Sequence, residues 1–250
     1  MLRKLAVAAL LTAGLSTPAL AQDKADKGWY IGARIGTASL NDPDFTVTDP
    51  SEGDKLATVL KTDSATAFSG ETGYNFGHIR AGLEISYQSN KINGIDFRSI
   101  NGIALTSSDV ADIASALVDA GVVDPDALDS ATLNGTVISG SVGKLEQAAV
   151  MVDLTYTLPV GDRIKPYVGV GFGEVANHVE FLGDDDGLVR TAWQFRAGAD
   201  FKLASHIDLT ADYTYRQTGA GDLQFGDNDL ALHLGKTNTS LLMVGLHFGL

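Results

Sequence analysis

The sequence predicts an all-β protein: an eight-stranded antiparallel up-and-down transmembrane β-barrel with long extracellular loops. Three observations support this fold class. Eight stretches alternate large apolar residues with polar or small ones at a period of two, as strands do. The connections between these stretches alternate between long and short. The chain also begins with the pattern of a secretory signal, which predicts export.

The amino terminus has the three parts of a signal peptide. Met1–Lys4 is basic, Leu5–Leu15 is apolar, and Ala19–Ala21 has the small residues of a cleavage site. We therefore expect residues 1–21 to form the signal peptide and residues 22–250 to form the barrel domain. A membrane anchor is the alternative, but the apolar run is shorter than the roughly 20 residues that span a bilayer. The chain has no cysteine, which excludes a disulfide framework and a lipidated amino terminus.

Net charge narrows the function class. The whole chain has 18 Lys and Arg against 31 Asp and Glu, and loss of Arg3 and Lys4 with the signal moves the formal charge from −13 to −15. This is the wrong sign for a nucleic-acid binder. No later window has the long apolar run of a transmembrane helix. An exported, acidic and strand-rich chain leaves a periplasmic β protein, a secreted β protein or an outer-membrane barrel.

The first three predicted strands are residues 29–37, 68–76 and 79–87. The apolar face of the first strand begins with Trp29, as expected where aromatic residues form a girdle at a membrane interface. A polar loop at about residues 39–64 separates the first strand from the second. Gly77-His78 joins the second strand to the third, and two alternating strands around a two-residue turn predict a hairpin.

A long irregular stretch, residues 89–143, follows the third strand. Within it, Ser108–Ala120 predicts a short helix, with Ser108 as the N-cap and Gly121 at the position of a C-terminal glycine. A loop of this length is unusual in a compact soluble domain and needs a functional reason. The remaining strands are predicted at residues 148–158, 166–173, 191–201, 207–216 and 240–250.

The order of the connections indicates how the strands are arranged. Short turns are predicted at 77–78, 159–163 and 203–206, and they alternate with long loops that include an acidic one at Asp184–Gly187. A barrel with short periplasmic turns and long external loops has this order. A sandwich has no reason to place all its long loops at one end. Both termini are then expected on the periplasmic side.

The two faces of the predicted strands have the polarity of a membrane barrel, apolar outside and ionic inside. Eight strands leave an interior that side chains fill, and buried opposite charges are expected to pair because an unpaired one is costly. We therefore predict a plugged polar lumen without a wide channel. A proton or ion path along the inward charges is the alternative. The inward residues predicted to form a structural ion-pair network are Arg34, Glu71, Arg80, Glu84, Asp153, Arg196, Asp200, Asp208, Asp212 and Arg216.

Three segments resemble a known family. Gly28–Gly36, Lys165–Gly173 and Leu246–Leu250 are similar to the corresponding strands of OmpA-type eight-stranded outer-membrane barrels, and Pro166–Gly171 resembles the alphaproteobacterial surface-antigen branch. The resemblance implies assembly by the barrel insertion machinery, which reads a last strand that usually ends in phenylalanine. Here the chain ends in Leu250. The residues expected to close the barrel and carry the insertion signal are Leu246, Phe248 and Leu250.

The sequence gives little sign of catalysis or of a bound metal. In barrel enzymes of the lipid A deacylase type, a His-x-Ser arrangement lies on a lipid-facing strand, so a resemblance to these enzymes would require such a pattern here. None of the five histidines (His78, His178, His206, His233 and His247) is followed two residues later by serine. The Asp184–Asp186 run lacks the spaced ligands of a calcium loop, so solvated loop charge is the preferred interpretation. We predict no catalytic residue, metal site or cofactor.

These features predict a structural, surface-exposed protein of the outer membrane of a Gram-negative bacterium, a surface antigen or adhesin-like barrel. The expected partners are outer-membrane lipid and lipopolysaccharide, the insertion machinery, and a host or surface ligand that binds the loops, especially residues 89–143. A small porin with a narrow or gated pore is the second hypothesis. A lipid A-modifying enzyme is the third.

Overall fold

A computed structural model of the chain describes residues 27–48, 53–119, 132–160, 163–181, 184–224 and 231–250. The predicted signal peptide lies outside these residues. Among the described residues, no helix is long and apolar enough to cross a membrane. The elements in chain order are β1 (Lys27–Leu40), β2 (Asp44–Thr48), β3 (Lys55–Thr62), β4 (Ala65–Phe76), β5 (Ile79–Ile100), β6 (Ile103–Ala104), α1 (Ser107–Asp119), β7 (Thr132–Asn134), β8 (Val137–Thr157), β9 (Ile164–Phe181), β10 (Asp184–Ala204), β11 (Ile207–Thr218), β12 (Gly221–Gln224), β13 (Ala231–Leu234) and β14 (Thr237–Gly249).

Eight of these strands close a ring. The order round the ring is β1, β4, β5, β8, β9, β10, β11 and β14, and every neighbouring pair is antiparallel. The last strand closes the barrel by pairing with the first, and Phe248 lies opposite Ile31. The predicted eight-stranded up-and-down barrel is therefore confirmed.

The two ends of the barrel differ in their connections. At one end, which we call the turn end, short turns join β4 to β5, β8 to β9 and β10 to β11. The first of these turns needs a glycine, because Gly77 has a φ of +110°, and its N–H donates a hydrogen bond to Asn75 Oδ1 at 2.9 Å. The opposite end, which we call the loop end, carries the helix and the short additional strands.

The strands at the loop end are longer than the sequence predicted. β5 runs to Ile100 and β8 begins at Val137, so much of the predicted irregular stretch 89–143 is paired sheet. β9 and β10 pair as far as Phe181 and Asp184, so the predicted acidic loop at Asp184–Gly187 is the start of a strand. The predicted polar loop 39–64 contains β2 and β3, and the connection between the predicted strands 207–216 and 240–250 contains β12 and β13.

A reversal of side-chain polarity explains why these extensions were missed. In the part of the barrel nearer the turn end, outward residues are large and apolar, such as Trp29 at 61% exposed and Val152 at 64%. Towards the loop end the outward row is Lys91, Lys144 and Glu180, which lie side by side on β5, β8 and β9. Their inward neighbours Ile92, Leu145 and Val179 are buried. The outer wall therefore changes from an apolar band to a polar surface, and the inner wall changes in the opposite sense.

The predicted helix is present as α1, with a different N-cap. Thr106 caps it, because the Thr106 N–H and hydroxyl both donate to Asp109 Oδ2 at 2.7 Å, while Asp109 N–H donates back to Thr106 Oγ1 at 3.4 Å. The predicted N-cap, Ser108, lies inside the helix, and Gly121 is outside the described residues. Val110 of the helix packs with Phe97 and Ile138 at the loop end.

Candidate functional site in the barrel interior

The inner wall near the turn end carries a cluster of charged side chains centred on Glu84. Three arginines from three other strands converge on this one carboxylate. Arg34 and Arg196 each contact Glu84 Oε2, and Arg216 Nη2 donates to Glu84 Oε1 at 2.9 Å. Because the side chain of Glu84 is only 4% exposed, its charge is balanced by these guanidinium groups instead of water.

Further carboxylates complete the surroundings of the arginines. Arg34 pairs with Glu71 at 2.7 Å and with Asp212 at 3.0 Å. Arg196 pairs with Glu71 at 3.1 Å, and its guanidinium lies 3.7 Å from Asp153. The network therefore ties β1, β4, β5, β8, β10 and β11 together across the lumen.

A second group of charges lies closer to the turn end. Arg80 Nη1 donates to Asp200 Oδ2 at 2.7 Å. His247 lies between two acids, with Nε2 2.9 Å from Glu71 and Nδ1 3.4 Å from Asp200. Since Glu71 also pairs with Arg34, the second group is continuous with the first.

Two tyrosines cover Arg80 in the lumen. Its guanidinium carbon lies 5.8 Å from the ring centre of Tyr30 and 4.8 Å from that of Tyr167. Glycines make room for them, because a Cβ at Gly82 would collide with the Tyr30 hydroxyl and a Cβ at Gly198 with the Tyr167 hydroxyl. These glycines leave the centre of the barrel to the large side chains.

Asp208 stands apart from the other nine residues of the predicted network. It lies on β11 next to the tight turn, opposite Lys202 and His247 in the strand register, and is partly exposed. Within the described part of the chain no ion pair joins it to the cluster. The period-two pattern predicted its inward direction but not its depth, and near the end of the strand Asp208 stays partly exposed.

A layer of neutral polar side chains, which was not predicted from the sequence, lies above the charged cluster. Gln88 donates to Gln147 at 3.0 Å, and Gln147 donates to Asn177 Oδ1 at 2.8 Å. Arg190 donates to the same Asn177 oxygen at 2.9 Å. Once the strands are extended, the alternation of side chains places Gln88, Gln147 and Asn177 on the inner wall. They carry no charge, so they were not among the predicted lumen residues.

An apolar core at the loop end of the lumen, which we call the apolar stopper, was not predicted either. Its members come from the ring strands β1, β5, β8 and β9 and from the additional strands β2, β3, β12 and β13, and they are buried against one another. Because they lie on the extensions beyond the apolar outer band, the loop predictions concealed them. The apolar stopper consists of Leu40, Phe45, Leu60, Ile92, Leu145, Val179, Leu223, Leu232 and Leu234.

The other singled-out residues lie away from the lumen or face the outside. Leu246 is exposed on the outer wall of β14, with Phe248 half-buried on the same face, and Leu250 is exposed just beyond the end of the strand. His233 contacts Asp222 at 2.7 Å on the surface of the loop end, and His78 stacks near Tyr156 beside a turn. The described residues contain no group of three or more metal-binding side chains placed to hold an ion.

Comparisons with known proteins agree with this architecture. Residues 7–248 match the model of the outer membrane protein beta-barrel domain. Neisserial surface protein A (NspA) has a TM-score of 0.51 at 12% identity over 89% of this chain and 97% of its own. OprG from Pseudomonas aeruginosa has a TM-score of 0.52 at 17% identity over 90% of this chain and 98% of its own.

A third similar structure, the outer membrane protein AlkL in lipid bilayers, has a TM-score of 0.50 at 14% identity over 94% of this chain and 95% of its own. At these identities the structures share the fold. No curated protein matches the chain significantly.

The apolar outer band, the closed ring and the family match all agree with a barrel that lies in the outer membrane. The family match and the similar structures confirm the predicted resemblance to outer-membrane barrels and the location in the outer membrane. The resemblance to the alphaproteobacterial surface-antigen branch stays a prediction. The chain belongs to the outer membrane protein beta-barrel domain family.

Proposed function

We propose that this protein is a closed, structural barrel that displays a rigid surface at the cell exterior, as a surface antigen or an adhesin does. The observation that carries the proposal is a lumen with two seals in series. The first is the ionic network around Glu84, and the second is the apolar stopper. A solute would have to break both to cross.

The two seals oppose passage for different physical reasons. Separating a buried pair leaves an uncompensated charge, at a cost of about 3–5 kcal/mol, and several such pairs share the same section of the lumen. The apolar stopper offers no hydrogen bonds to water, so it excludes water and ions as a hydrophobic constriction does. One seal alone can be bypassed by a side-chain movement, but two of opposite chemistry cannot open by the same movement.

The distribution of charge supports a surface role for the loop end. Bacterial barrels place short turns in the periplasm, so the loop end faces outwards. Among the described residues, the segments 42–48, 53–63, 91–119, 132–146, 174–181, 184–190, 222–224 and 231–236 carry 15 Asp and Glu and 7 Lys and Arg, whereas the other described residues carry 6 Asp and Glu and 8 Lys and Arg. The net negative charge of the described residues thus belongs to the outward part of the barrel. Such a field repels polyanions and attracts cationic partners.

We further propose that the protein is not an enzyme, and that it meets lipopolysaccharide and the insertion machinery as membrane partners. In the described part of the lumen, the acids and His247 are engaged with arginines and with one another, which leaves no free nucleophile–base pair facing a substrate path. A narrow porin and a lipid A-modifying enzyme are the competing hypotheses.

Conductance of the purified protein in planar bilayers tests the closed lumen. We expect no stable conductance steps from the inserted protein. The heat-dependent change in gel mobility verifies that the sample is a folded barrel, and a known porin in the same bilayer serves as the positive control that gives steps. Steady steps from this protein would favour the porin hypothesis. Mass spectrometry of lipid A from a deletion strain tests the third hypothesis, and we expect an unchanged lipid A profile.

A further inference from the structure

The outer wall of the barrel carries a groove at the edge of the apolar band that is nearer the loop end. It lies on the side formed by β5, β8, β9 and β10, and its volume is about 460 Å³. Ligand pockets commonly have volumes of roughly 300–1,000 Å³, so the groove is large enough to hold part of a small molecule. Its walls include Tyr87, Glu146, Ala148, Ala176, Gly187 and Val189.

The groove exists because small residues lie between large ones. One row of register partners across the outer wall consists of Tyr87, Ala148, Ala176 and Val189. The two alanines end at Cβ between the exposed side chains of Tyr87 and Val189, so the wall is depressed there. Closer to the turn end, a corresponding outward row has large residues throughout, namely Leu83, Val152, Phe172 and Trp193. The depression is therefore local to this part of the wall.

The position of the groove places it at the boundary between lipid and water. On its turn-end side the outer wall continues as the apolar band, with Val150 and Phe172 exposed. On its loop-end side the next rows are polar and include Lys144 and Glu180. Since the loop end faces outwards, this boundary corresponds to the headgroup level of the outer leaflet. Tyrosine is enriched at such interfaces, as Tyr87 is here.

The rim of the groove carries polar groups that suit a sugar. The Tyr87 hydroxyl donates to Glu146 Oε1 at 3.0 Å, which holds the tyrosine side chain at the edge of the groove. Glu146 and His178 are register partners on the outer wall. A carboxylate accepts hydrogen bonds from hydroxyl groups, and an aromatic ring offers an apolar surface. A sugar ring matches this combination, because its C–H faces are apolar and its hydroxyl groups lie round its edge.

A lysine without a counter-charge lies beyond the rim. Lys91 and Lys144 are directly opposite each other on β5 and β8, although like charges at such positions destabilise a strand pair. Lys144 Nζ lies 3.0 Å from Glu180 and 3.6 Å from Glu146, so its charge is compensated. Lys91 is exposed, and no carboxylate of the described residues pairs with it. It lies four residues beyond Tyr87, about 13 Å along the strand.

We propose that the groove holds a phosphorylated glycolipid of the outer leaflet, namely lipopolysaccharide. Its acyl chains lie along the apolar band, a sugar of its lipid A part lies on the floor formed by Ala148 and Ala176, and a phosphate contacts Lys91. Continuity with the lipid-facing band identifies the occupant as a membrane lipid, and the polar rim with its free cation suits a phosphorylated sugar. The proposal rests on the proposed function, because it requires the loop end to face outwards.

Lipid binding to the purified barrel in detergent tests the site. The probe is lipid A with two phosphates, and native mass spectrometry counts the lipids bound per barrel as its concentration rises. We expect one saturable lipid. Ala176→Phe fills the groove and should raise the half-saturating concentration at least tenfold. The control Thr66→Phe enlarges an exposed side chain on the outer wall of β4, away from the groove, and should leave the value unchanged.

A second pair of variants tests the phosphate contact. Lys91→Gln should raise the half-saturating concentration several-fold for lipid A, but should not change it for lipid A from which both phosphates have been removed. The control Lys236→Gln, which removes an exposed lysine at the loop end between β13 and β14, should bind both probes as the parent does. The heat-dependent change in gel mobility verifies that each variant is folded. If Ala176→Phe fails this check, Ala148→Phe fills the same groove.

Four outcomes would overturn the proposal. The first is an Ala176→Phe variant that binds lipid A as the parent does, and the second is a Lys91→Gln variant without effect on the phosphorylated probe. The third is equal binding of phosphatidylglycerol, which would show a general lipid surface. The fourth is a dimer that Ala176→Phe dissociates without a change in lipid affinity, which would assign the groove to a second copy of the chain. Conductance steps would refute the closed lumen but leave these affinities as they are, so the two failures are distinguishable.

Discussion

Replacement of Glu84 by glutamine is the sharpest test of the ionic seal. The change keeps the size of the side chain and one oxygen acceptor but removes the charge on which Arg34, Arg196 and Arg216 converge. Arg34 and Arg196 keep Glu71 as a partner, whereas Arg216 makes its one salt bridge among the described residues with Glu84. Removing one member of a buried pair costs about 3–5 kcal/mol, so Glu84→Gln should lower the free energy of unfolding by that amount.

The assay is equilibrium unfolding by urea in lipid vesicles, followed by the fluorescence of the outward-facing Trp29 and Trp193. Glu146→Gln is the matched control, because Glu146 lies on the outer wall and pairs with Lys144 at 3.6 Å. A partly exposed pair of this kind contributes about 0–1 kcal/mol. A Glu84→Gln variant that unfolds within about 1 kcal/mol of the parent would refute the conclusion that Glu84 is a buried counter-charge.

A double-variant cycle separates charge balance from packing. If the loss in Glu84→Gln comes from an uncompensated Arg216, the additional change Arg216→Met should restore part of the stability, since it removes the unpaired charge. Additive losses in the double variant would show that Glu84 acts through its other contacts.

Three further predictions concern other parts of the barrel. Deletion of residues 248–250 should impair insertion, because Phe248 pairs with Ile31 in the closing ladder, and normal levels in outer-membrane fractions would contradict this. Leu60→Ala in the apolar stopper should cost about 2–5 kcal/mol in urea unfolding, while truncation of the exposed Ile103 to alanine serves as a control with little effect. Hydrogen bonds from Thr106 hold the pKa of Asp109 below its usual value, so their contribution to helix stability is complete above pH 3.8 and is lost as the pH falls through the lower folded-state pKa. The protection of the α1 amides, corrected for the pH dependence of intrinsic exchange, should therefore fall in that acidic range, and unchanged protection would contradict the role of this cap.

Much of the fold could be predicted because the lipid imposes a simple pattern on the strands. Trp29, Val152 and Leu242 face outwards as the alternation predicted, and all eight membrane strands were located. The pattern fails where the bilayer ends. Ile92 and Leu145 turn inwards there while Lys91 and Lys144 face water, so a rule that places apolar residues outside classifies these strand extensions as loops.

The sequence by itself determined the direction in which each lumen residue points, because side chains alternate along a strand. It did not determine which of them meet. Glu84 and Arg216 are 132 residues apart, and their contact depends on the register of the intervening ladders and on closure of the ring by β14 and β1. Register and the stagger of the strands set the height of each side chain along the barrel axis, and no local pattern encodes that height. For the same reason, Arg190 was one more charge in the sequence, and only the tertiary structure shows that it is a buried cation without a carboxylate among the described residues.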